Sequence, residues 1–212
     1  MKTNLKLRKV SNMLSVKQRQ EKLKFLGFYD GEIDGKEGPK TKKGYKDLQN
    51  KYFFRKKDKD GLYGKDTDIL LQCAYNVAKY SKNFDILKDK LYCRCNGKYC
   101  TGYPAVIDIN LVKNLQEIRN KFGATTITSL LRCRTWNKVQ GGVSSSKHTK
   151  GKGADYRTKV SNTLAGRKNM IDYWFTLSNP NYGYCNGYYK MGRTSGCKKS
   201  VSMGNSTHCD VK

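Results

Sequence analysis

Ser144-Ser-Ser-Lys-His148-Thr-Lys-Gly151-Lys-Gly153-Ala-Asp155 holds the first of only two histidines in a chain of 212 residues. His148 and Asp155 are seven apart, a spacing that a helix would place on one face. Gly151 and Gly153 argue instead for a tight turn that folds the carboxylate back beside the imidazole. A neutral imidazole and a carboxylate brought together in this way are good zinc ligands, and a catalytic zinc site needs a third protein ligand with one position left open. His208 is the candidate. It sits in Ser206-Thr-His208-Cys-Asp210-Val-Lys212, an extended end in which His208 and Asp210 share one strand face and Cys209 points the other way. Only seven of the 17 carboxylates follow residue 72, and two of them fall in this pattern.

Around this core the C-terminal part reads as α+β. Residues 107–122 form an amphipathic helix stopped by Gly123, with Ile109, Leu111, Leu115, Ile118 and Phe122 on or near one face. Residues 125–131 are β-branched and strand-like. A further helix spans 164–177 with Ile171, Trp174 and Phe175, and the Gly-, Tyr- and Ser-rich tail suits short strands and turns. Residues 81–90 are polar and read as a linker. The N-terminal part is helical over 16–28, ending at Gly27, over 41–53 behind Pro39, and over 65–80. Between these helices a D-G-x-x-G-x-x-T loop occurs twice, at Asp34–Thr41 and Asp60–Thr67. Each glycine is expected to supply a positive-φ turn and each threonine to N-cap the next helix. Asp30, Glu32 and Asp34 imitate a calcium loop, but Thr41 stands where the bidentate glutamate belongs.

Lys and Arg number 43 against 17 Asp and Glu, a net charge of +26, so a polyanion is the expected surrounding: nucleic acid, anionic lipid or an anionic cell wall. The basic residues are dispersed lysines without an Arg-rich run, which argues against a specific nucleic-acid partner. The chain is 37% hydrophobic with a mean hydropathy of −0.79. No stretch approaches a spanning helix, so no transmembrane segment is expected, and residues 1–10 carry charge without the apolar run of a signal peptide. Aromatic content of 11% with 3 prolines is that of a folding chain. Of eight cysteines, Cys93, Cys95 and Cys100 are too tightly spaced for a ribbon of two CxxC halves. They could bind a structural metal with Cys133, Cys185 and Cys197 could cross-link a tail loop, and free buried thiols are equally compatible.

Two resemblances follow from these residues. Over about residues 13–75 the helix, G-F-Y-D-G-x-x-D-G-x-x-G-P-K-T, helix, D-G-x-x-G-x-x-T, helix pattern resembles the three-helix peptidoglycan-binding domain of cell-wall hydrolases. Over about 85–212 the S-x-H-x-x-G-x-A/G-x-D pattern, in slightly altered form, and the H-x-D segment resemble zinc peptidases of the D-Ala-D-Ala carboxypeptidase type, metallopeptidase family M15, to which the hedgehog signalling domain is structurally related. Ile127-Thr-Ser-Leu-Leu-Arg-Cys-Arg134-Thr-Trp-Asn137, followed by Gly141-Gly, is similar to the family's I-T-S-G-Y-R and N…G-G pattern, with its arginine placed on Arg134. The C-x-C cluster is also common at the start of this subgroup.

The resemblance implies a wall-binding domain at 1–80 and a zinc peptidase domain with an antiparallel sheet at 81–212. Zinc would be held by His148, Asp155 and His208. Asp210 would act as the base, because Asn205 stands where several relatives carry theirs. Arg134 would bind a substrate carboxylate or the oxyanion, and Ser146 would orient substrate. A bacteriophage endolysin is implied, made in the host bacterial cytoplasm and acting on peptidoglycan and its anionic polymers after release. A bacterial autolysin, a D,D-carboxypeptidase and a noncatalytic zinc-containing wall-binding protein are the alternatives. The scissile bond stays open between D-Ala-D-Ala, L-Ala-D-Glu and a cross-bridge.

Overall fold

The chain folds as α+β, as its sequence pattern predicts. The computed structural model describes residues 13–198 and 203–212, so residues 1–10, read above for an export signal, lie outside it. Among the described residues are six α-helices and one six-stranded antiparallel sheet. No helix there is long and apolar enough to cross a membrane.

The N-terminal unit consists of α1 (Val16–Phe25), α2 (Pro39–Tyr52) and α3 (Lys65–Tyr80). Ser15 and Gln18 form a capping box at the start of α1, and Gly27 at φ 77° turns the chain out of it. The repeated loops are built differently from the sequence expectation. Gly35 and Gly61 do take positive φ, but Gly38 and Gly64 are extended N-caps of α2 and α3, and the two threonines lie inside those helices. The reason is a buried glutamine beneath each loop. Gln20 Nε2 donates to Asp34 Oδ1 (2.8 Å), Lys36 O (3.0 Å) and Thr41 Oγ1 (3.2 Å), while its Oε1 accepts from Gly35 N (2.8 Å). Gln49 repeats the set with Asp60, Leu62, Thr67 and Gly61. Repeat loops that lack backbone partners of their own are therefore satisfied from inside. Gln49→Ala removes a buried amide from four polar partners, and we expect a loss of about 3 kcal/mol in chemical denaturation. An unchanged midpoint would show that water replaces the amide.

The remaining elements enclose the sheet. Strands β1 (Thr126–Ser129), β2 (Gly153–Arg157), β3 (Pro180–Cys185), β4 (Tyr188–Met191), β5 (Thr194–Gly196) and β6 (Thr207–Val211) lie in the order β1-β2-β6-β3-β4-β5. One face packs on α4 (Ile109–Phe122) and α6 (Leu164–Trp174), where Ala154, Tyr156, Cys209 and Val211 are buried with Met170, Ile171 and Trp174. The other face carries the polar residues discussed below. The helix expected to reach Leu177 stops at Trp174.

Residues 81–90 are not a detached linker: Phe84 and Ile86 are buried, and the Gln116 carboxamide holds Ser81, Lys82 and Asn83. Buried side chains run without a break from the N-terminal helices into the rest of the fold. Asn76 Nδ2 of α3 donates to Ile107 O (2.8 Å), Cys73 meets Ala105 and Ile107, and Tyr103 packs edge-on against Tyr52.

Candidate functional site

Strand register assembles a single row of side chains across the polar face. Ser129 pairs with Asp155, Asp155 with His208, and His208 with Tyr184 on successive antiparallel strands. Directly opposed residues share a face, so Asp155 and Tyr184 flank His208 and Asp210 follows two residues on. His148 enters from a 3-10 turn (Lys147–Lys150) just ahead of β2.

Gly151 makes that entry possible. It lies at φ 69°, and any Cβ there would stand 2.0 Å from Val106 O. Its own carbonyl accepts from Asp108 N, which ties the turn to the segment that α3 grips. The expectation of a glycine turn bringing His148 and Asp155 together is met in this geometry.

Asp155 is the hub. Its Oδ1 is 2.8 Å from His208 Nδ1 and 3.3 Å from His148 Nε2, while its Oδ2 accepts from Arg132 Nη2 at 2.6 Å. The other ring nitrogens are also engaged: His148 Nδ1 lies 2.7 Å from Leu130 O, and His208 Nε2 lies 3.3 Å from Asp210 Oδ2. His148, Asp155 and His208 each present one ligand atom, all within 4.8 Å of one another, so the three could hold a metal ion. Two imidazoles and one carboxylate are a borderline-soft donor set that suits zinc. The partners on the far nitrogens fix each ring's orientation.

Electrostatics sharpen the hub. Burial alone would raise the Asp155 carboxyl, but the hydrogen bonds from His148 and His208 outweigh it and hold the group far below the usual range. Burial depresses His148, which keeps that ring neutral. Burial also acts downward on His208, yet the carboxylates of Asp155 and Asp210 overcome it and lift the ring to about 9. Tyr184 stacks on His208 with centroids 4.7 Å apart, and burial pushes its phenol up to about 12.

Beside these residues opens a cleft of about 470 Å³ bordered by Arg132, His148, Tyr182, Tyr184, His208 and Asp210. Ser146 also borders it. Residues 85–169 match the family model described as Peptidase M15. The match supports a peptidase domain in this part of the chain. No curated protein matches the sequence. The Peptidase M15 segment carries Arg132, His148 and Asp155, while His208 and Asp210 reach the same site from beyond it, through β6.

Arg134 is not brought to the cleft. It lies exposed on the first turn of α5 (Arg134–Val139), whereas the arginine at the site is Arg132, whose Nε donates to Ser129 Oγ at 2.8 Å and whose Nη2 grips Asp155. The signal was present in the sequence: counting I-T-S-x-x-R from Ile127 ends on Arg132. Asn137 carries its part of the pattern structurally, its amide donating to Val143 O (2.9 Å) and shaping the 141–146 loop along the cleft. Asn181 and Tyr182 were not singled out in the sequence. Both bond Asp210 Oδ1, at 2.7 and 3.0 Å, and nothing local announced that they would.

Proposed function

We propose that this chain is a zinc-dependent peptidase that hydrolyses peptide bonds of bacterial peptidoglycan, acting as an endolysin, with the N-terminal helical unit as its wall-binding part. The observation that carries the reading is the convergence of His148, Asp155 and His208 at a cleft that also holds a partly buried arginine–carboxylate pair. The net charge of +26 favours the anionic polymers of a bacterial wall.

His148, Asp155 and His208 would hold the zinc, which when bound would supply Lewis acidity for the scissile carbonyl and a water acidic enough to attack near neutral pH. His148 and Asp155 are fixed by Leu130 O and by Arg132, so little reorganisation is needed to receive an ion. Asp210 is the carboxylate among the described residues bordering the cleft. It accepts the water's proton and returns it to the leaving amine. Arg132 spends two of its five donors on Ser129 and Asp155 and directs positive charge at the cleft, where a substrate carboxylate or the developing oxyanion is held. Ser146 orients the peptide at the cleft's edge.

Chelation tests the whole reading. Incubating the full chain with purified sacculi should release new amine termini, detected by mass spectrometry of the muropeptides, and the masses identify the bond cut. A strong chelator should stop release and added zinc should restore it. Release that persists in chelator, or the absence of any cleaved muropeptide from the zinc-loaded chain, removes the proposal. The two arginines separate within the same assay. Arg132→Ala should lower kcat/KM by about a hundredfold, the scale for one oxyanion donor, while Arg134→Ala should stay within about twofold of the parent.

A further inference from the structure

Cys93, Cys95 and Cys100 sit in one loop and Cys133 at the start of α5, with no simple spacing rule joining them, yet their four Sγ atoms are all within 4.8 Å of one another. We propose that these four cysteines form a second, structural metal site that takes zinc as a tetrathiolate, separate from the site at His148. Zinc–sulfur bonds of about 2.3 Å place tetrahedral sulfurs roughly 3.8 Å apart. Cys95 and Cys100 stand at 3.5 Å, close to that spacing.

The surrounding backbone is arranged for negative sulfur. Cys133 N donates to Cys93 Sγ (3.2 Å), Gly102 N to Cys100 Sγ (3.4 Å) and Trp136 N to Cys133 Sγ (3.4 Å). Between Cys95 and Cys100 the chain doubles back through Asn96 at φ 49° and Gly97 at φ 85°, closed by Lys98 N on Cys95 O (2.9 Å). Such a knuckle points both flanking sulfurs inward. Cys93, Cys95 and Cys133 are buried and Cys100 is partly so, which shields the cluster from solvent. Four apolar side chains would fill this space more simply than four thiols, and four thiolates without a cation would repel one another in a buried site.

The placement gives the ion a mechanical role. Cys133 is the N-cap of α5 and follows Arg132 directly, so the site fixes the backbone from which Arg132 reaches Asp155. On its other side the knuckle abuts the N-terminal unit, where a Cβ on Gly97 would lie 3.0 Å from Phe54 Cβ and 3.2 Å from Arg55 Cγ. One ion would thereby join the loop, the arginine and the helical unit.

Metal content and cobalt spectroscopy of the full chain, purified under reductant and loaded with zinc or with cobalt(II), test this without reference to activity. The wild-type chain should bind two equivalents of zinc. His148→Ala/His208→Ala should keep one, and its cobalt form should show the intense sulfur-to-metal charge-transfer absorption of a tetrathiolate. Cys95→Ser/Cys100→Ser should lose that absorption and one equivalent. If the cysteine variant does not fold, the cobalt spectrum of the histidine variant still decides. A histidine variant with no bound metal, or with a cobalt spectrum lacking thiolate character, overturns the proposal. Failure of the peptidase reading would leave this result unaffected.

Discussion

His208→Ala is expected to abolish hydrolysis and to empty the site formed with His148 and Asp155, while circular dichroism should stay that of the parent. The proposed zinc site has three protein ligands, and reducing it to two would weaken binding steeply. The fold should survive because Asp155 keeps Arg132 and His148, and Asp210 keeps Asn181 and the backbone of Tyr182. Metal retained at full stoichiometry in this variant would place the ligand elsewhere. The same residue sets the pH dependence of the parent. Without metal, the proton held on His208 stabilises the fold fully below pH 6.5, and this contribution is lost as pH rises through about 9. Metal requires the neutral ring and must displace that proton, so apparent zinc affinity should climb about tenfold per pH unit across this interval. Chelator competition measured at several pH values checks the slope, and a flat profile would show that His208 is already neutral.

Asp210→Asn should retain zinc and fold while turnover falls by about two or more orders of magnitude, the usual scale for losing a general acid–base. Asparagine keeps the shape and can still accept from Tyr182 N through its carbonyl oxygen, so the strand register is undisturbed. What disappears is the carboxylate that borders the cleft and faces His208 Nε2. Steady-state kinetics on a soluble muropeptide, with zinc measured on the same sample, separates the outcomes. Near-normal turnover would move the base to another residue. Loss of zinc would make Asp210 a positioning residue that acts by orienting the His208 ring.

Much of the helical framework was legible because it depends on local signals. Gly27 and Gly123 stop α1 and α4 where expected, and the third helix, read over 65–80, is α3. The threonines of the repeat were misread as caps because their partners, Gln20 and Gln49, come from the preceding helices and leave no signal in the loop. The arginine was legible by count, since I-T-S-x-x-R from Ile127 ends on Arg132, and the bond to Asp155, 23 residues away, shows what that position does.

His148, Asp155, His208 and Asp210 could be selected from the sequence alone, since two rare histidines and two of few carboxylates stood in short patterns whose spacing follows from turns and strand alternation. Their assembly into one site was decided only by tertiary structure. The pairing of β2 with β6 sets Asp155 opposite His208 across 53 residues, and a one-residue slip in that register would turn His208 to the other face. Arg132, Tyr184 and the partners of Asp210 join through the same register, because hydrogen bonding between distant strands determines which side chains become neighbours.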